Sequence, residues 1–142
     1  MTAAISFDAV EVGTALPDRD VTITRVDLIR YAGASGDFNV IHWNRRIATA
    51  VGLPDVIAHG MYTMAQAGRL VTDWIQDPSA LVEFGVRFTR PVPVPDDDAG
   101  AIVRYSALVA EKLPDRRVRL DIKAVHADAT VLGRASAVVQ LA

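Results

Sequence analysis

Hydrophobic positions change their period near the middle of the chain. Between residues 20 and 76 they recur at helical intervals, and between residues 80 and 142 they alternate as in strands. Val21 and Ile23 mark a short strand over residues 20–24. Thr24-Arg-Val-Asp27 then reads as a capping box, in which Thr24 and Asp27 satisfy exposed backbone N–H groups. It opens a helix with Val26, Leu28, Ile29 and Ala32 at helical spacing, and the Gly33 to Gly36 stretch predicts the end of that helix. Residues 37–42 are left in a loop. Asn44 is placed to cap a second short helix over residues 45–51, which Gly52 stops. Pro54 keeps the next segment out of helix.

The longest helix is expected over Gly60–Ile75. Its apolar residues, Met61, Met64, Ala65, Leu70, Val71, Trp74 and Ile75, occupy more than one face, which predicts a buried helix. Ala65, Ala67 and Gly68 are small enough to let a sheet approach closely, and the methionines read as core filler rather than as a cofactor box. After Asp77-Pro78, residues 81–89 place Val82, Phe84, Val86 and Phe88 on one side of an alternation. Residues 102–112, 118–127 and 131–141 read as further strands, joined by Leu-Pro-Asp-Arg and His-Ala-Asp-Ala turns. This spacing suggests an antiparallel meander sharing one core with the long helix, an α+β layout. With no repeat and no low-complexity linker, residues 1–142 are expected to form a single domain.

Composition narrows the function classes. Of the 142 residues, 51% are apolar and 23% charged, which is neither a disordered nor a membrane composition. The formal net charge of −2 lacks the basic excess of a nucleic-acid binder. The absence of cysteine removes disulfides, thiolate metal sites and thiol nucleophiles. Only His42, His59 and His126 offer imidazoles, so a zinc site would need all three or added carboxylates, and no metal is expected. No window approaches the ~18 apolar residues of a spanning helix, and the start lacks a signal-peptide pattern. A cytoplasmic address without membrane insertion follows as the expectation.

Candidate chemistry is concentrated in Tyr31-Ala-Gly-Ala-Ser-Gly-Asp37-Phe-Asn39-Val-Ile-His42, where an acid, an amide and an imidazole lie within six residues. Gly33 and Gly36 permit turns that would aim Asp37 and His42 at one point. On residue type alone the same set reads equally as helix-closing and turn chemistry. Ala58-His59-Gly60-Met61 stands at the start of the long helix, whose unpaired N–H groups suit an oxygen gaining negative charge. Gly60 has no side chain to block a carbonyl, and His59 reads as a capping or packing residue.

Together these segments resemble the hydratase 2 motif of MaoC-like dehydratases. Ile57-Ala-His-Gly-Met61 is similar to that family's entry into its central helix, and Val86-Arg-Phe-Thr-Arg-Pro-Val92 to the strand that follows. The likeness runs over essentially the whole chain and is nearest to the B-subunit type of (3R)-hydroxyacyl-ACP dehydratase in mycobacterial-type fatty acid synthase II. It implies a hot-dog fold, an antiparallel sheet wrapped around Gly60–Ile75, and pairing with a second such sheet as a homodimer or heterodimer. It implies dehydration of (3R)-3-hydroxyacyl thioesters, or hydration of trans-2-enoyl thioesters, in fatty acid metabolism. Asp37 and His42 would be the catalytic pair, the Gly60 N–H the oxyanion donor and Asn39 the residue that sets the loop.

Met61, Tyr62, Arg87 and Arg90 are the substrate-binding candidates, with Arg45, Arg46 and Arg69 as further cations for CoA phosphates or an acidic carrier protein. No metal or redox cofactor is required, because phosphopantetheine arrives with the acyl-CoA or acyl-ACP. Two departures stand out: Val40 occupies a position usually held by proline, and Tyr62 replaces a smaller aliphatic residue. The alternatives are an (R)-specific enoyl-CoA hydratase of beta-oxidation or polyester precursor supply, a hot-dog thioesterase, and a non-catalytic partner subunit.

Overall fold

A computed structural model describes residues 5–142. Strand β1 (Arg19–Ile23) leads into α1 (Arg25–Ser35), a short 3₁₀ turn (Val40–His42), α2 (Arg45–Ala50) and the central helix α3 (Gly60–Ile75). Strands β2 (Leu81–Phe88), β3 (Ala101–Leu113), β4 (Arg117–His126) and β5 (Ala129–Gln140) complete the chain. They form one antiparallel sheet in the order β1-β3-β4-β5-β2, and α3 packs on β2, β3 and β5. This is the hot-dog arrangement that the family resemblance implies.

The caps behave as their chemistry dictates. The Thr24 N–H donates to Asp27 Oδ2 at 2.8 Å, closing the capping box, and Asn44 Oδ1 accepts from the Ile47 N–H at 3.1 Å. Thr63, Gln66, Ala67, Leu70, Val71 and Ile75 form the buried face of α3. Truncating Leu70 or Ile75 to alanine would cost about 2–5 kcal/mol, the usual penalty for a core aliphatic. A Cβ at Gly68 would stand 3.2 Å from the Phe84 ring, so the absence of a side chain there lets β2 come close.

Helix α1 runs through Gly33 and ends within the expected glycine stretch, at Gly36, whose φ of 76° is left-handed. Three expectations are corrected. The meander is confined to β3, β4 and β5, because β2 crosses to the far edge and pairs with β5. Helix α3 buries one face rather than several, with Ala65 exposed on the other. Met61, expected as core filler, is 55% exposed.

One short ladder sets the position of the site. The Ala58 N–H donates to Val92 O and the Val94 N–H to Val56 O, both at 2.9 Å. The segment entering α3 is thereby tied to the segment leaving β2. On its other side the Ile57 N–H donates to Ile41 O at 3.2 Å, which brings the loop after α1 alongside.

Candidate active site

The turn after α1 is built by its own side chains. Ser35 Oγ–H donates to Tyr31 O at 2.7 Å and accepts from the Asp37 N–H at 3.2 Å. Asp37 Oδ1 accepts from the Asn39 N–H at 3.1 Å, and Asn39 Oδ1 accepts from the Ile41 N–H at 3.3 Å. Asn39 thus caps the 3₁₀ turn that delivers His42. Each bond is the local side-chain-to-backbone kind that Asp, Asn and Ser make in turns.

His42 is buried, and its Nδ1 lies 2.7 Å from Ile57 O. A carbonyl only accepts, so Nδ1 carries a proton and donates it, and in the neutral ring Nε2 keeps a free lone pair. Nε2 faces Asp37 Oδ2 at 3.9 Å, too far for a direct hydrogen bond and close enough for one intervening oxygen to reach both. The Asp37 side chain is about half exposed at 49%, so the burial that an acid role for Asp37 requires is not present in the single chain.

His59 lies directly beneath. Its ring stacks on His42 with centroids 3.8 Å apart and planes inclined by 23°, and Tyr31 packs against it at 4.7 Å. Burial lowers its pKa from the ordinary 6.5, an effect that the hydrogen bond to the Asp37 backbone partly opposes. Asp37, His42 and His59 bring ligand-capable atoms within 4.8 Å of one another. Stacked imidazoles hold their in-plane lone pairs side by side, whereas a tetrahedral ion needs them converging about 2 Å away. The donor set therefore fits a metal poorly.

His42 and Gly60 line a cleft of about 380 Å³ together with Thr63, Phe88 and Arg90. Gly60 is the first residue of α3, where backbone N–H groups lack intrahelical acceptors. A Cβ there would meet the Phe88 ring at 3.1 Å, so the space beside Gly60 is held by an aromatic side chain rather than open. A smaller apolar cleft, of about 180 Å³, also reaches His42 and is lined by Ile29, Phe38 and Trp43.

The remaining substrate-binding candidates lie apart from the 380 Å³ cleft. Met61 is exposed, and Arg87 is an exposed β2 residue opposite Gly133, neither of them in its lining. Tyr62 turns its ring edge to Tyr31, 5.4 Å away, and so fills space against α1. Phe88 and Thr63 went unassigned in the sequence reading. Phe88 carried a signal, since it belongs to the strand segment that resembles the family, whereas Thr63 lies among ordinary helix residues.

Residues 8–111 match the family model described as MaoC like domain. The chain is 42% identical over 79 residues to 3-hydroxyacyl-thioester dehydratase X of Mycobacterium tuberculosis, covering 56% of this chain and 27% of that protein. It is 30% identical over 113 residues to 3-hydroxybutyryl-CoA dehydratase of Methylorubrum extorquens, covering 78% of this chain and 68% of that protein. Among solved structures, a MaoC-like dehydratase superimposes with a TM-score of 0.94 at 36% identity, over 98% of this chain and 43% of its own. The chain therefore spans about a quarter of the first relative's length and less than half of that structure.

Proposed function

The chain belongs to the MaoC-like domain family, and on that premise we propose that it is a hydro-lyase of fatty acid metabolism. It interconverts (3R)-3-hydroxyacyl and trans-2-enoyl thioesters. The observation that carries this reading is the 3.9 Å gap between Asp37 Oδ2 and the unprotonated His42 Nε2, beside the N-terminus of α3. In the hydration direction one water sits in that gap. His42 takes a proton from it as the oxygen attacks C3 and gives that proton to C2, so that H–OH adds across the double bond without redox change and His42 returns to its neutral form. The Gly60 N–H and the positive end of α3 stabilise the enolate-like thioester oxygen. Dehydration runs the same steps backwards. No metal or redox cofactor takes part, and phosphopantetheine comes with the CoA or acyl carrier protein. Arg90, at the cleft, is the cation best placed for that carrier's phosphates or acidic surface.

A second hot-dog unit completes the assembly. Strand β2 is an edge whose outer side has no partner strand among the described residues, and it exposes Val82 and Phe88. The greater length of the first relative and of the matched structure supports a paired unit there. Two copies of this chain, or this chain and a different subunit, would both satisfy the edge. No described helix is long and apolar enough to cross a membrane, and a cytoplasmic site of action completes the proposal.

The direct test is loss of the conjugated enoyl absorbance with crotonyl-CoA and a longer trans-2-enoyl-CoA. Activity in the wild type that collapses in Asp37→Asn and His42→Gln would support the reading. A folded wild type inactive alone and with a co-expressed hot-dog partner would refute it. Release of free thiol would instead indicate a thioesterase. The structure disfavours that alternative, since the first three turns of α3 carry no carboxylate and Asp73 is paired with Arg19 at 2.5 Å.

A further inference from the structure

The arrangement around His59 is more specific than packing requires. The residue is 1% exposed, yet both of its functional contacts go to the candidate catalytic pair. Its Nε2 lies 3.1 Å from Asp37 O, and its ring face supports the His42 imidazole. Because a carbonyl only accepts, Nε2 must carry the proton, which leaves Nδ1 as a buried lone pair without a partner. A buried nitrogen is left unsatisfied while the other reaches a carbonyl 22 residues away, so the ring orientation serves the Asp37 turn.

We propose that His59 is a positioning residue that sets the separation between the Asp37 carboxylate and the His42 imidazole. The Nε2–H tethers the Asp37 backbone, and the ring provides the seat for His42. One residue at the mouth of α3 therefore fixes both partners relative to Gly60. The groups facing His59 are Asp37 and His42 from the turn, Tyr31 from α1, and Tyr62 one turn away across Tyr31. Asp37 is the only carboxylate among them, so its distance governs how well an imidazolium at His42 is stabilised.

This inference rests on the hydratase reading for its kinetic consequence and on geometry alone for its spectroscopic one. His59→Phe keeps a flat ring and loses the donor, whereas His59→Gln keeps an Nε2–H near the same place. With the tether gone, Asp37 drifts from His42 and the imidazolium loses its partner. The kcat then falls by on the order of 10²-fold with KM little changed. The Gln variant should retain most of the wild-type kcat. Nitrogen-15 NMR of the three histidines reads which ring nitrogen carries the proton, and how the His42 signals move when the tether is lost, whether or not any substrate turns over. Even in the wild type it must show His59 protonated at Nε2.

A His59 protonated at Nδ1, or His42 nitrogen signals unchanged in all three proteins, would overturn the proposal. So would equal loss of kcat in Phe and Gln variants that remain folded by thermal denaturation. Inactivity of the wild type would count against the hydratase reading and leave the NMR outcome to decide this one.

Discussion

Asp37 Oδ2 and His42 Nε2 stand 3.9 Å apart, held by different devices: a turn of local side-chain bonds for the acid, and the Ile57 carbonyl for the imidazole. Neither of these bonds runs through the other partner's side chain, so one side chain can be altered without unseating the other. His42→Gln should lower enoyl-thioester hydration by about 10²–10⁴-fold, the usual contribution of a general base. Asp37→Asn keeps an oxygen for the Asn39 N–H and removes the charge, so it should be as well folded as the wild type and at least about 10²-fold slower. Steady-state kinetics with circular dichroism on each variant checks this. Loss confined to KM would show that the pair only binds.

Gly60 and Phe88 are coupled in the same way. A methyl at position 60 would sit 3.1 Å from the ring, and the ring, being 52% exposed, has room to swing outward. Gly60→Ala should therefore change stability by less than about 1 kcal/mol while reshaping the wall of the cleft. The expected result is a drop in kcat/KM of on the order of 10²-fold, partly through displacement of the carbonyl from the helix N–H groups. Recovery of activity in Gly60→Ala/Phe88→Leu would identify crowding as the cause.

What could be seen in the sequence was local. Thr24 with Asp27, Asn44 with the N–H of Ile47, and the bounds of α3 follow from bonds that span three or four residues. Strand order is different in kind, because alternation in β2 reveals a face to bury and nothing about whether β3 or β5 will be its neighbour. The Gly33 to Gly36 stretch marked the end of α1 without saying which glycine ends it: a glycine inside a helix costs only about 1 kcal/mol, so α1 runs through Gly33 to the left-handed turn at Gly36. The part played by His59 was hidden because its hydrogen bond goes to a main-chain carbonyl 22 residues earlier, for which no residue type is a marker.

Burial of His59 makes stability depend on pH. Its folded-state pKa lies below the ordinary 6.5, so below pH 6.5 the unfolded chain binds a proton that the folded chain refuses. Stability contributed by this residue is complete above that pH. It is lost as pH falls, at no more than one proton's worth, about 1.4 kcal/mol per pH unit. Urea unfolding between pH 7.5 and 5 should show this decline, and His59→Gln should flatten it. An equal decline in the variant would assign the effect to carboxylates.

The outer edge of β2 predicts assembly. Val82, 43% exposed on a strand with no partner on its outer side among the described residues, should lie in the contact between hot-dog units. Val82→Lys would place a charge there and shift the measured mass of the wild-type assembly toward that of the single chain. A wild type that is monomeric both alone and with a co-expressed hot-dog partner would remove this role for the edge.

Tyr105 has the reverse problem. Its side chain is completely buried on β3, its hydroxyl has no hydrogen-bond partner among the described residues, and burial raises its pKa well above the ordinary 10. An unpaired buried hydroxyl costs about 1–3 kcal/mol relative to one left in water. Removing it while keeping the ring leaves the apolar packing intact. Tyr105→Phe should therefore raise stability by about 1 kcal/mol and Tm by about 3 °C, with hydration kinetics unchanged. A lower Tm would mean that the hydroxyl is satisfied in solution by a buried water.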